Sequence, residues 1–467
     1  MKAEIECIIQ KIDRIIMKGR IDYSSEAQLC LLKDQLMVTV VQNSLKKVDQ
    51  QIKSKMKKQN YRLKDRRSRT ITTTFGDLPY SRYYYTKKGA HRFPLDEHLD
   101  FKPRERYTKP FRNQTVSIIA ATTYQREAEI LTNLTGSSIN PTTIREHVLE
   151  FSKQAQDYQE YLEIATAPKL KKVKRLYIEG DGVSIRGRAK YGKKGWKIEL
   201  HRFQLHEGVK RIGKNRYELI NPVFFFDISR EKAYQRISEY VYRNYKLKHT
   251  TVITNGDGGS GYTYQDFKDF AQSAKHHEHF IDRYHVHMKI ESRMKFCPDL
   301  IPLLKNGWQQ YDREAIRLVL DTAESMAETE EELIEIEQLT AYINRNWLYM
   351  KPPRMREHVK NGRGIGTCES NHREYTYRMK HRGMSWGKEG ALAVALVIES
   401  KRNQTFESIT QGNWQAELTN RRQELKRYKV RNVANRAHQP HVGAYQGVIK
   451  TGAVSSPTGK LNKHLNG

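Results

Sequence analysis

Three strands, then a helix, a strand, a helix, a strand and a helix can be read in that order between residues 171 and 298. This order predicts an α/β protein with an RNase H-like mixed-sheet core. Two acids carry the same expectation. Arg175-Leu-Tyr-Ile-Glu-Gly-Asp181-Gly-Val-Ser-Ile-Arg186 sets Asp181 within an apolar, strand-like run, and Thr250-Thr-Val-Ile-Thr-Asn-Gly-Asp257 ends a fourth strand on Asp257. Such a fold places one acid on its first strand and another at the end of its fourth. A buried carboxylate loses its hydration unless a metal or a cation compensates it, which marks Asp181 as a functional candidate.

The chain has 467 residues, with 83 Lys and Arg against 53 Asp and Glu, a net charge of +30. That excess predicts a polyanionic partner, above all nucleic acid. There is no apolar run of 18 or more residues, no signal-peptide layout and no lipidation motif, so no membrane partner is expected. Cys7, Cys30, Cys297 and Cys368 are scattered and form no CxxC pair, which argues against a zinc ribbon or a disulfide scaffold. A cytoplasmic, nucleoid-associated location follows as an expectation.

Seven segments are expected. Residues 1–69 read as helices, from Ile5, Ile8, Ile12 and Ile15 and from Leu32, Leu36 and Val40, and they end in a basic run. Its Arg66, Arg67 and Arg69 could lie along a phosphate backbone, or simply on a solvated face. Residues 70–110 alternate with period two around Gly76-Asp77 and predict a small basic β-hairpin unit, where Arg82 and the neighbouring tyrosines suit nucleic acid or ordinary strand packing. Residues 111–170 predict a helix-turn-helix DNA-binding domain. Ala128, Leu131 and Leu134 mark one face, Gly136 breaks the chain, and Asn140-Pro141 starts a short second helix. Thr142, Thr143, Arg145 and His147 on that helix could enter a major groove, although any helical hairpin would look similar.

Residues 171–298 form the first part of the core, with a second strand from 195 to 206 and a third from 217 to 228. Helices follow near 230–245 and 264–274, and a fifth strand, 278–285, closes on His285. Residues 299–352 are helical and acidic, an insertion. Residues 353–413 return to the core, with Glu369 opening a helix, and 414–467 are a basic, partly disordered tail.

Phosphodiester cleavage and strand transfer need an activated water or 3′-hydroxyl and a stabilised leaving oxygen. Two Mg²⁺ (or Mn²⁺) ions about 4 Å apart serve both ends and require oxygen ligands from separate elements. Asp181 is expected between the ions, with Asp257 and Glu369 each holding one. Glu179, Asp227 and Asp282 are rival ligands, and each chosen acid has a bland alternative as a turn or helix-end charge. His285 is a candidate active-site residue, though a lone histidine often serves structure. Arg378, Lys380 and Trp386, which follow Glu369, are expected to hold DNA near the metals. No P-loop, GxSxG elbow or HExxH occurs.

The residues Tyr177-Ile-Glu-Gly-Asp181-Gly-Val, Asn255-Gly-Asp257-Gly, Asp282-Arg-Tyr-His285-Val, Glu369-Ser-Asn and Arg378-Met-Lys-His-Arg-Gly-Met-Ser-Trp386 carry a family likeness over most of the chain. They resemble the ISLre2-family (UPF0236-type) bacterial insertion-sequence transposases, distant relatives of the Mutator-like enzymes. The resemblance implies a DDE triad at Asp181, Asp257 and Glu369, with a helical insertion before the glutamate. It also implies an acid shortly before a histidine, matched by Asp282 and His285. The implied function is a DNA transposase acting on double-stranded DNA, both transposon terminal inverted repeats and target, as at least a homodimer. Alternatives are a nuclease or resolvase without strand transfer and a non-enzymatic helix-turn-helix regulator.

Overall fold

The computed structural model describes residues 2–189, 195–214, 216–359, 362–371 and 373–437; the side chains of Lys2, Glu369, Glu374 and 428–437 are not among those described. The chain opens with helices α1 (Lys2–Ile16) and α2 (Tyr23–Lys58), which pack through Ile8, Ile15 and Leu32. Asp22 and Ser25 exchange side-chain to backbone hydrogen bonds of 2.9 and 2.7 Å, a capping box that starts α2. The basic run is divided between the end of α2 and strand β1 (Arg62–Thr73). β1 pairs antiparallel with β2 (Gly76–Lys87), β3 (Ala90–Arg92) adds an edge, and the short helix α3 (Pro94–His98) closes a core of Leu45, Ile71, Leu78, Tyr80 and Leu95.

Helices α4 (Lys109–Ile119), α5 (Tyr124–Thr135) and α6 (Pro141–Ala165) follow. Gly136 ends α5 at a left-handed φ of 67°, and the Asn140 side chain accepts the Thr142 N–H at 2.8 Å to start α6. Two expectations are corrected. α6 has 25 residues rather than being short, because its apolar side runs on through Val148, Phe151 and Ala155 into the central core. Leu134 is 63% exposed; Ile139 from the connecting turn completes the cluster with Ala128, Leu131 and Ile144 instead.

The central sheet has five strands. β4 (Arg175–Arg186) pairs antiparallel with β5 (Lys197–His206), and β5 pairs antiparallel with β8 (Val223–Asp227). On its other side β4 runs parallel to β9 (Thr251–Gly256), and β9 runs parallel to β10 (His276–Ile281). The spatial order is β10-β9-β4-β5-β8. The expected third strand is shorter than read: its first residues form β7 (Tyr217–Leu219), which pairs with β6 (Val209–Arg211) in a ribbon outside this sheet.

Alternation along the strands divides the core in two. One face carries Leu176, Ile178, Phe203 and Phe225 against α7 (Arg230–Asn244) and the segment containing α8 (Tyr264–Lys268). The opposite face carries Val183, Ile185, Ile198, Phe224 and Phe226 against α6 and α14 (Lys388–Arg402). α14 is buried from Ala393 through Ser400 and apolar on nearly every side but for Glu399 and Ser400, as a helix in the middle of a core must be.

The fifth strand also ends earlier than expected, at Ile281. Asp282 caps helix α9 (Arg283–Arg293), its carboxylate accepting the Tyr284 and His285 N–H groups at 2.8 and 3.3 Å, so His285 lies in a helical first turn. Helices α10 (Leu300–Gln310), α11 (Arg313–Met326) and α12 (Glu330–Asn346) pack on α9 through Ile290, Leu304, Leu320 and Leu339. A 3-10 turn, Glu369–Asn371, precedes α13 (Arg373–Met379). A second unit begins at Asn413 and contains helix α15 (Trp414–Ala437), where a partly disordered tail was expected; residues 438–467 lie outside the described ones. Among the described residues no helix is long and apolar enough to cross a membrane.

Candidate active site at the sheet edge

Strand register brings three acids to one edge. Glu179 pairs with Asn255 across β4 and β9, and Asn255 with Phe280 across β9 and β10. Two residues beyond these pairs lie Asp181, Asp257 and Asp282, at the edge where β9 and β10 end and the parallel pairing of β4 stops, although β4 itself runs on to Arg186 beside β5. The main chain continues the pattern, with the Asp282 N–H bonded to the Gly256 carbonyl at 2.7 Å.

The three are not equivalent. Asp282 is committed: one carboxylate oxygen caps α9 and the other accepts the Asn255 amide at 3.0 Å. Asp257 folds into an Asx turn, accepting the Gly259 N–H at 2.8 Å, and its carbonyl accepts the Tyr342 hydroxyl of α12 at 3.3 Å. Asp181 is buried; one oxygen accepts the Gly182 N–H at 2.7 Å and the other lies 3.5 Å from His285 Nε2. The Asp181 carboxylate, helped by Asp282 and Asp257 and opposed by burial, pushes the His285 pKa up to about 9. An imidazolium therefore stands among the acids at neutral pH. The edge calls for positive charge, and the described residues answer it with His285.

Glu369 was expected to complete the set. Its side chain is outside the described residues, but the main chain leading to it is held tightly to the face that carries Asp181. Glu179 accepts the Cys368 N–H at 2.6 Å, Arg202 donates to the Cys368 carbonyl at 2.7 Å, and Gln204 donates to the Thr367 hydroxyl at 2.6 Å. Register explains the meeting: Gln204 lies opposite Glu179 and Arg202 opposite Asp181 on neighbouring strands. Glu179 is 1% exposed, and its second oxygen has no hydrogen-bond partner. Burial is the main reason its pKa rises to about 7. Its geometry suits an anchor for the Thr367–Cys368 turn. Asp227, the remaining rival, sits on edge strand β8 and accepts the Ser229 N–H at 2.8 Å, starting α7.

Asp181, Asp257 and Glu369 offer carboxylate oxygens, the donors that Mg²⁺ or Mn²⁺ prefers. Among the described residues, which lack the Glu369 side chain, no three His, Cys, Asp or Glu side chains are grouped closely enough to hold an ion.

The expected DNA contacts separate into exposed and buried. Thr142, Arg145, Arg66, Arg67 and Lys380 are exposed and Thr143 is half-buried; Arg66 and Arg67 lie over the Tyr83 and Tyr84 rings at 5.1 and 4.2 Å. The others are corrected. Arg69 and Arg82 both bind the Asp96 carboxylate at 2.7 Å, inside the hairpin unit. His147 is buried against Thr115, with Nδ1 3.0 Å from its hydroxyl, and burial lowers its pKa to about 4. Arg378 is 1% exposed, donates to the Ile119 carbonyl at 2.8 Å and stacks on Trp386, whose indole N–H is bonded to the Met379 carbonyl at 2.9 Å. These two tie α13 to α4 and have no surface to offer DNA.

Fold and site together define a mixed α/β protein whose parallel strands end in an acidic edge. The chain belongs to UPF0236, described as an uncharacterised protein family, whose profile matches residues 24–416. It is similar to the UPF0236 protein in the vanSb 3' region of Streptococcus gallolyticus, 30% identical over 461 residues, 98% of this chain and 100% of that one. It is also similar to UPF0236 proteins of Caldanaerobacter subterraneus subsp. tengcongensis, one of them 22% identical over 408 residues, 85% of this chain and 77% of its own.

Proposed function

We propose that the protein is a DNA transposase with an RNase H-like core, cleaving and joining DNA through Asp181, Asp257 and Glu369. The observation that carries this is that Asp181 and Asp257 each lie two residues past the last β4–β9 pair, Glu179 with Asn255, with the turn before Glu369 pinned to the face that carries Asp181. The sheet order and strand directions support the RNase H-like reading, and the Asn140-capped helix with exposed Thr142 and Arg145 supports a helix-turn-helix facing DNA. One relative's name runs together eleven locus designations of a single organism, a pattern expected of a sequence carried in many copies.

Two bound Mg²⁺ or Mn²⁺ ions would activate the attacking water or 3′-hydroxyl and stabilise the leaving oxygen. The protein's part is placement. Asp181 and Asp257 hold position because both follow paired strand residues, and Asp257 is further fixed by its Asx turn. Glu179, Arg202 and Gln204 fix the approach of Glu369. The net charge of +30 attracts the duplex, and the exposed Arg66 and Arg67 meet its phosphates. Two copies, one for each transposon end, would act together.

The test is Asp181→Asn in the full chain, with a supercoiled donor carrying the coding region and its flanks, and Mg²⁺ or Mn²⁺. Cleavage and strand transfer are expected to be lost while binding to the flanking DNA persists. Cleavage by the variant at the wild-type rate overturns the mechanism.

A further inference from the structure

A cavity of about 490 Å³ opens beside the acidic edge, between the end of β10, the start of α9 and the segment that follows α12. Asn255 and Asp282 form part of its wall, so it adjoins the acids directly. No residue of the expected triad lines it. Four rings do: Phe280, Tyr284, Trp308 and Tyr349. Arg283 and Arg354 stand at the wall too, both exposed, and the Arg283 guanidinium lies over the Trp308 ring at 5.3 Å. Tyr284 is 50% exposed, unlike Trp308, which is buried and donates its indole N–H to the Met350 carbonyl at 3.3 Å.

This combination selects its occupant. Flat aromatic walls suit a planar ring, and arginines on the exposed side suit a phosphate joined to it. A free anion is disfavoured deep inside, where Asp282 contributes negative charge, so the charged part of the occupant must stay with Arg283 and Arg354. A base within a duplex cannot enter, because its faces are covered by its neighbours and its edge by its partner.

We propose that the cavity receives one unpaired nucleotide of the DNA strand held at the acidic edge, its base among Tyr284, Trp308 and Tyr349 and its phosphate at Arg283 and Arg354. The proposal rests on the DNA-processing function above and adds a subsite for a nucleotide lifted out of the helix. The helices α10 and α12 thereby gain a role, since Trp308 lies in the last turn of one and Tyr349 follows the other.

The probe is a DNA duplex ending in a single unpaired 2-aminopurine, compared with the same duplex left blunt, both titrated with the full-length protein. Stacking in the cavity is expected to quench the 2-aminopurine emission and to make the overhang duplex the preferred ligand by about fivefold or more, the range set by base–aromatic stacking. Tyr284→Ala and Arg354→Ala, both at exposed positions, are each expected to reduce that preference and the quenching. Unchanged emission at saturation, or full quenching and preference retained in both variants, overturns the proposal. Quenching without any binding of the blunt duplex would keep the subsite and overturn the duplex-binding function, so the two failures are distinguishable.

Discussion

Glu179→Gln should make the protein more stable at alkaline pH, although it alters a residue in the middle of the site. Glu179 is enclosed by Cys368, Thr367 and Gln204, and only one of its oxygens is used. A glutamine oxygen can accept the same Cys368 N–H, and its amide would occupy the position of the unpartnered oxygen. What changes is the charge. The folded-state pKa of about 7 lies above the ordinary 4.5, so the native state holds a proton that the unfolded chain releases earlier. The contribution of Glu179 to stability is therefore fully present below about pH 4.5 and falls as pH rises, reaching its full loss above about 7. A shift of that size corresponds to about 3 kcal/mol. Glutamine removes the dependence. Urea unfolding of the wild type and the variant at pH 5 and pH 8.5 gives the difference between them at each pH, and contributions common to both cancel. The variant should gain about 2 to 3 kcal/mol relative to wild type between the two conditions. An unchanged difference, or a variant that weakens as pH rises, would mean that Glu179 is ionised without penalty, and the argument that burial raises its pKa would fail.

Other consequences follow from the same contacts. Asp96→Ala leaves Arg69, Arg82 and the Tyr80 hydroxyl without their shared acceptor, and should cost about 3 to 5 kcal/mol, read as a lowered unfolding midpoint. Glu127 is buried, neither carboxylate oxygen has a hydrogen-bond partner, and burial lifts its pKa to about 8. Its penalty grows as pH rises from the ordinary value toward 8, so Glu127→Leu should stabilise the protein by about 1 to 3 kcal/mol at pH 9 and have little effect at pH 5. The His285 pair with Asp181 contributes fully below the ordinary histidine pKa and is lost as pH rises through about 9. Its imidazole resonances should therefore titrate near 9 in the wild type and markedly lower in Asp181→Asn.

The acids at the sheet edge could be read from the sequence because they break a local pattern: Asp181 interrupts an apolar strand, and Asp257 follows one. The boundary after β10 was missed because Glu278 to His285 was read as one strand, although two apolar residues, Phe280 and Ile281, are followed there by two polar ones, Asp282 and Arg283. The available signal was Asp282 as a helix cap, and reading it would have moved His285 from a strand to a helix. Glu179 stood out only as a second acid on the same strand. Its role as an anchor depends on Gln204 and Arg202 lying opposite β4, and on a turn more than 160 residues later reaching the same face. Neither fact is local.

The arginines make the point most sharply. Arg66, Arg67, Arg69 and Arg82 belong to one hairpin and looked alike as a basic patch. Arg66 and Arg67 remain exposed over tyrosine rings, whereas Arg69 and Arg82 reach inward to the carboxylate that α3 supplies. Arg378 does the same at longer range, finding the carbonyl of Ile119. A cationic side chain serves DNA or the fold according to whether the folded chain brings an acceptor to it. Side of the sheet does not decide it, because Arg67 lies opposite Arg82 and two residues from Arg69, on one face; what separates them is that the α3 carboxylate reaches Arg69 and Arg82 while Arg67 pairs with the exposed Asp65.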